Sequence, residues 1–256
     1  MKKHFTFLLV LCFANTITAQ ISSPGLGKAN NANWFAVGVQ QQLDAIQYKN
    51  WQSMTYVGVG RKSNPYTNNP FYKPAIFVIN QEFYYQFHNN WQYSVALSYR
   101  KQNEYSDTFP YEEDDPKWKQ EFRLYGRFSY IFKTGRLKFI PTIRQEFRKF
   151  YAPDFTNTDE NFQLRSRFRL QLAINLDADK HHKLTFNSEQ LFSISKETTQ
   201  WSDFNYRESR FSLYYSYSPV KIPVTFSLGY MKNIVGATNS YAVDYFAFDM
   251  VFKDLF

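Results

Sequence analysis

The sequence predicts an all-β chain closed into an antiparallel transmembrane β-barrel, and three observations carry that expectation. Long segments alternate charged and apolar residues with a period of two. Aromatic residues make up 20% of the chain, with 20 Tyr and 27 Phe, a bias that favours strands over helices. Beyond the N-terminal stretch no apolar run approaches the ~18 residues that a membrane-crossing helix needs, which excludes a helical membrane bundle and leaves a barrel open.

The first element is an address. Met1 to Ala19 reads as a secretory signal peptide, with Lys2 and Lys3 as its basic start, Phe5 to Ala14 as its apolar stretch and Ile17-Thr18-Ala19 as a cleavage site before Gln20. The expected organisation is therefore a signal peptide over 1–19, an N-terminal segment over 20–32 and a barrel over 33–256. Cys12, the single cysteine, lies inside the signal, so the exported chain is expected to hold no disulfide and no cysteine metal site. The formal net charge of +8 is spread among apolar residues instead of clustered, and an exported chain rarely meets nucleic acid, so no nucleic-acid partner is expected.

The strands follow. From Glu121 to Phe132, one face carries Glu121, Arg123, Tyr125, Arg127 and Ser129, and the other carries Phe122, Leu124, Gly126, Phe128, Tyr130 and Phe132. After the turn Lys133-Thr134-Gly135-Arg136, residues Lys138, Thr142, Arg144, Glu146 and Arg148 alternate with Leu137, Phe139, Pro141, Ile143 and Phe147, completing a hairpin. A third run sets Gln163, Arg165, Arg167, Arg169 and Gln171 against Phe162, Leu164, Phe168, Leu170 and Leu172. The same grammar marks segments near 33–43, 51–62, 74–87, 91–101, 183–195, 206–218, 223–232 and 243–253. Tight turns such as His88-Asn89-Asn90 alternate with longer polar loops such as Asn103 to Pro116 and Lys196 to Asn205, which predicts short periplasmic turns and longer outer loops.

Strand length separates a membrane barrel from a soluble sandwich, since sandwich strands seldom alternate for ten or more residues. Arginine then decides which face meets lipid. Each Arg near the bilayer midplane would cost about 2–4 kcal/mol, so the arginines must face the lumen. Inward positions are expected for Arg100, Arg123, Arg127, Arg144, Arg148, Arg165, Arg167, Arg169 and Arg210, with Glu82, Glu121, Glu146, Glu189 and Glu208 among them. Opposite charges at facing strand positions are expected to pair. Trp34, Trp51, Trp91 and Trp118, at strand starts, are expected in the interfacial aromatic girdles.

The last strand places Phe246, Phe248, Met250 and Phe252 on one face and ends in Phe256, a pattern similar to the C-terminal signal read by the outer-membrane barrel assembly machinery. Eleven segments can be counted, whereas bacterial barrels normally have even strand numbers. The expectation is twelve strands, with ten as the fallback. Either Gln20 to Asn31 supplies the missing strand or it threads the lumen.

Several of these residues also carry a family likeness. Trp34 at the first strand, Glu121-Phe122-Arg123-Leu124-Tyr125, the arginines Arg100, Arg144 and Arg148 near strand ends, and the terminal Phe256 resemble the outer-membrane barrels grouped as domain of unknown function 2490. The resemblance spans most of the exported chain and implies an outer-membrane barrel with no established activity.

Chemistry is sparse. A hydrolase would need a nucleophile beside a base, yet His88 and the His181-His182 pair fall in turns away from the outer side. A metal site at His181-His182 would have to recruit Asp177 or Asp179, and no metal or other cofactor is expected. Glu112-Glu113-Asp114-Asp115 reads as a solvated acidic stretch of an outer loop, and Gly58-Val59-Gly60-Arg61-Lys62-Ser63 lacks the spacing and the following helix of a phosphate loop. The expected protein is therefore a non-enzymatic barrel in the cell outer membrane, in contact with its lipid and lipopolysaccharide. Its lumen is packed with charge or forms a narrow anion-preferring pore; a lipid-modifying hydrolase is a further alternative.

Overall fold

The computed structural model describes Ile21, residues 23–43 and residues 50–255. Among them run β1 (Asn31–Gln42), β2 (Trp51–Lys62), β3 (Lys73–His88), β4 (Trp91–Tyr105), β5 (Glu113–Tyr130), β6 (Phe132–Thr134), β7 (Leu137–Tyr151), β8 (Asn157–Asn175), β9 (His182–Glu197), β10 (Gln200–Trp201), β11 (Asn205–Tyr217), β12 (Val224–Val235) and β13 (Tyr241–Lys253). They form one sheet closed on itself. β6 continues β5 past Ile131, and β10 only lengthens the hairpin after β9, so eleven strands make the wall. The signal peptide, Gln20 and Phe256 lie outside the described residues.

Eleven replaces the expected twelve. Each strand is antiparallel to the next, so an odd number leaves the first and last pointing the same way, and β1 accordingly pairs β13 in parallel from Asn31↔Asp244 to Gln40↔Lys253. No twelfth strand forms over 23–30 because Pro24 has no amide N–H to give a ladder and Gly27 turns the chain at φ +76°. Instead the segment enters the barrel. Ser23 meets the Tyr214 hydroxyl at 3.2 Å, the Leu26 amide donates to the Tyr245 hydroxyl at 2.9 Å, and Ile21, Leu26 and Ala29 are buried against Trp34, Met54 and Val78.

Alternation appears as the sequence pattern requires. On β4, Gln92, Ser94, Ala96, Ser98 and Arg100 are buried, whereas Tyr93, Val95 and Leu97 are exposed on the outer wall. Outward charges such as Arg61, Lys101, Lys149 and the Lys232–Asp244 pair sit toward strand ends at one mouth. Outward polar groups nearer the middle satisfy one another across strands, as in Thr55 with Gln81, Ser166 with Gln145 at 2.7 Å, and Ser209 with Gln190. Aromatic contacts gather at both mouths: Trp51–Tyr85 at 4.8 Å and Trp91–Tyr130 at 4.7 Å at one, Phe192–Phe204 at 5.5 Å and Tyr151–Phe155 at 6.1 Å at the other.

Two expectations about the mouths change. Trp34 is not a girdle residue: it faces inward, 1% exposed, over the space left by Gly58. The acidic cluster is mostly not loop, because β4 and β5 continue past the wall to Tyr105↔Glu113 and only Glu112 of the four precedes the strand. The tight turns at Asn89-Asn90 and Gly135-Arg136 share a mouth with the longer connections 176–181 and 218–223, whereas 63–72 and 106–112 extend the opposite one. The expected difference in connection length is thus partial.

Candidate functional site

The expected interior residues do converge. Arg100, Arg123, Arg144, Arg148, Arg167, Arg210, Glu82, Glu121, Glu146, Glu189 and Glu208 are buried within the barrel, and Arg127, Arg165 and Arg169 are half-buried beside them. β3, β4, β5, β7, β8, β9 and β11 supply them, at positions where the alternating partner is an outward Phe, Leu, Tyr or Ser.

The pairing is the expected one only in part: Arg210 lies 3.8 Å from Glu189, directly across from it. Several directly facing positions carry like charges, including Arg123↔Arg148, Arg127↔Arg144 and Arg144↔Arg167. The closer contacts run along a strand or diagonally. Glu121 holds Arg123 Nε at 2.6 Å and Arg148 through two bonds of 2.8 Å. Glu146, fully buried, is shared by Arg144 Nε at 2.7 Å, Arg167 Nε at 2.7 Å and Arg123 Nη1 at 3.1 Å. Arg167 also reaches Glu189 at 3.3 Å, and Arg210 binds Glu208 at 2.6 Å.

A geometric cause accounts for this. Inside a barrel the long side chains lean along the strand, so a guanidinium reaches a carboxylate two residues away more readily than one directly across. One contact even skips a strand. Arg127 on β5 reaches Glu82 on β3 at 3.1 Å over Ser94 and Ala96 of β4, which are too short to intervene. The Ser94 hydroxyl and the Tyr125 hydroxyl, the latter at 2.8 Å, donate to the same Glu82 carboxylate. Arg144 lies 3.5 Å from the Tyr125 ring centroid, a cation–π contact that joins this cluster to Glu146.

Arginine is in excess. Among the described residues, Arg100 and Arg169 have no carboxylate within ion-pair distance, and the Nε of each lacks a hydrogen-bond partner. Above the network a cavity of about 340 Å³ opens at the mouth of the longer loops, while two cavities deeper in the barrel, beside Ser23, are each about 20 Å³.

The remaining candidates are peripheral. His88 ends β3 at an exposed corner, and His182 Nδ1 sits 2.6 Å from the Tyr215 hydroxyl on the outer wall. Asp177, Asp179 and His181 come within 4.8 Å of one another. Partial desolvation pushes the Asp177 carboxyl up, but amide hydrogen bonds from His182 at 2.8 Å and His181 at 3.0 Å hold it below its ordinary value. Its oxygens are therefore engaged in closing the turn. Sequence reasoning missed Arg207, which enters the upper cavity although strict alternation from Glu208 turns it outward; the register shift that redirects it left no mark in the residue pattern.

Fold and interior together define a closed eleven-strand β-barrel with an arginine–glutamate lumen. The chain belongs to the family described as protein of unknown function (DUF2490), whose model matches residues 31–243 and so spans every strand up to the start of β13. No curated protein matches it.

Proposed function

We propose that the chain is an integral barrel of the bacterial outer membrane, a binding or structural protein and not an enzyme, whose middle is occluded by its own side chains and N-terminal segment. The carrying observation is the division of charge between faces. Buried Arg and Glu occupy the inside of the wall, whereas outward positions such as Val37, Leu97, Leu124, Ile143, Leu170 and Leu228 present apolar side chains between two aromatic belts. Water outside would leave this wall exposed, and lipid covers it. Phe246, Phe248, Met250 and Phe252 lie on that outer wall, as an assembly signal for the barrel machinery requires.

Export with cleavage before Gln20 and contact with lipopolysaccharide belong to the same reading. Flotation of cell membranes on a density gradient tests it: the protein should float with the outer membrane and shift its gel mobility on heating. Recovery in the soluble periplasmic fraction would overturn it.

A narrow anion-preferring pore is the second reading, supported by Arg100 and Arg169, cations without a carboxylate partner. Planar-bilayer recording separates the two. The occluded barrel gives little conductance as wild type and more in Arg165→Ala and Arg167→Ala variants, whereas a general-porin conductance in the wild type refutes occlusion.

A further inference from the structure

The 340 Å³ cavity at the mouth of the longer loops is lined by residues of β4, β5, β7, β8, β9, β11, β12 and β13 and of the N-terminal segment, Arg165 of β8 and Arg207 of β11 among them. Arg165 on β8 stands directly across from Ser193 on β9. On the far side, Arg207 Nε donates to Ser193 Oγ at 2.7 Å. Arg207 reaches this place through a bulge. The register of β11 against β9 shifts between Tyr206 and Glu208, leaving Arg207 as the extra residue, and that shift turns into the cavity a side chain that regular alternation would send outward.

Neither guanidinium is consumed by the ionic network below. Arg207 has no carboxylate within ion-pair distance among the described residues. For Arg165 the one such contact is Glu208 at 3.7 Å, and that carboxylate is already taken by Arg210 at 2.6 Å and Asn233 at 2.8 Å. Arg165 Nε donates to Gln163 at 3.1 Å and Nη1 is the atom that faces Glu208, which leaves Nη2 for a further acceptor. Arg100, 8% exposed, lines the same cavity from β4, and its Nε has no partner. The other carboxylates at the cavity are Glu160, which accepts from Gln163 and Ser195, and Glu197 at the exposed lip.

We propose that this cavity binds the oxyanion group of a small soluble solute, held by Arg165 and Arg207 with Arg100 lining the same space. Guanidinium forks match phosphate and carboxylate geometry, and two forks on one pocket suit the doubly charged phosphate group over a single carboxylate. The cavity lies inside the wall, so the strands separate it from lipid phosphates on the outer face. A soluble phosphate compound is therefore the ligand class, not a headgroup of the surrounding leaflet. The site belongs to the barrel interior and stands whether or not the proposed membrane location is right.

Isothermal titration of the detergent-folded full chain with inorganic pyrophosphate tests it, with inorganic phosphate as a second titrant and micelles doped with dimyristoyl phosphatidate as a third. Pyrophosphate should bind, more weakly as salt rises. Arg165→Gln and Arg207→Gln should each weaken binding by roughly tenfold or more, as expected for loss of a charged hydrogen-bond donor. Arg136→Gln at the opposite mouth should leave binding unchanged. Heat-shifted gel mobility reports folding of each variant, and Arg207→Lys, which keeps the charge without the fork, serves if Arg207→Gln fails to fold and should bind at reduced strength. Absence of pyrophosphate binding, equal binding by the variants, or binding of the phosphatidate alone overturns the proposal.

Discussion

The two sides of the lumen are filled in opposite ways. Along β5, β7, β8, β9 and β11 the interior is ionic, and Glu121, Glu146, Glu189 and Glu208 are each reached by one or more guanidinium groups. Along β13, β1, β2 and the start of β3 it is mainly apolar, with Trp34, Met54, Val78, Tyr245 and Val251 buried around Ile21, Leu26 and Ala29 of the N-terminal segment and Asp249, Lys62 and Lys73 as buried charged residues among them. The difference lies in side-chain size. Long Arg and Glu side chains cross the lumen and satisfy each other, whereas Ala32, Ala36, Gly58 and Gly60 leave a hollow that Trp34, Ile21, Leu26 and Ala29 occupy. A barrel interior of this width is completed by reach on one side and by insertion on the other.

The contrast can be broken most strongly at Glu146, which neutralises three buried arginines. Glu146→Gln should lower stability by about 3–5 kcal/mol, because a lost partner leaves buried cations uncompensated. Urea unfolding followed by heat-shifted gel mobility would measure it. On the apolar side, Leu26→Ala should cost about 2–5 kcal/mol in the same assay, as for other large-to-small changes at buried sites. An unchanged midpoint there would mean that the inserted segment contributes no packing.

Smaller effects sharpen the comparison. A Cβ on Gly58 would lie 2.3 Å from the Trp34 ring, and one on Gly229 2.2 Å from the Tyr214 ring, so either Gly→Ala change should cost about 1–3 kcal/mol by overpacking. Gly126, on the outward face of β5, offers the control, since a Cβ there meets only the Ser94 carbonyl at 3.6 Å and Gly126→Ala should be close to neutral in the same urea titration. A small change is also expected for Arg169→Gln. That arginine forms no close ion pair, so its removal should alter stability by less than about 1 kcal/mol, with no fall comparable to that of Glu146→Gln in a parallel unfolding curve.

Legibility differed between the same two regions. The ionic side could be read because charged and apolar residues alternate cleanly from Glu121 to Gln171, so each residue type names its face. The apolar side could not, because Trp34 and Ala36 alternate with Phe35 and Val37, and hydrophobicity alone does not tell lumen from lipid. Trp34 was accordingly expected in the girdle and lies in the lumen instead. Gln20 to Asn31 could supply a strand or thread the lumen, strand parity favoured the strand, and only the parallel β1–β13 ladder resolves that choice.

By itself the sequence determined that the wall is built from alternating strands and the face on which the arginines of β4, β5, β7 and β8 sit, since these follow from local period-two patterning along single strands. The tertiary structure decided the odd-numbered closure, the insertion of residues 23–30, the diagonal pairing of Arg with Glu and the inward turn of Arg207 at its bulge. Each of these depends on register and stagger between strands distant in the chain, and alternation within one strand carries no information about how far it slides against the next.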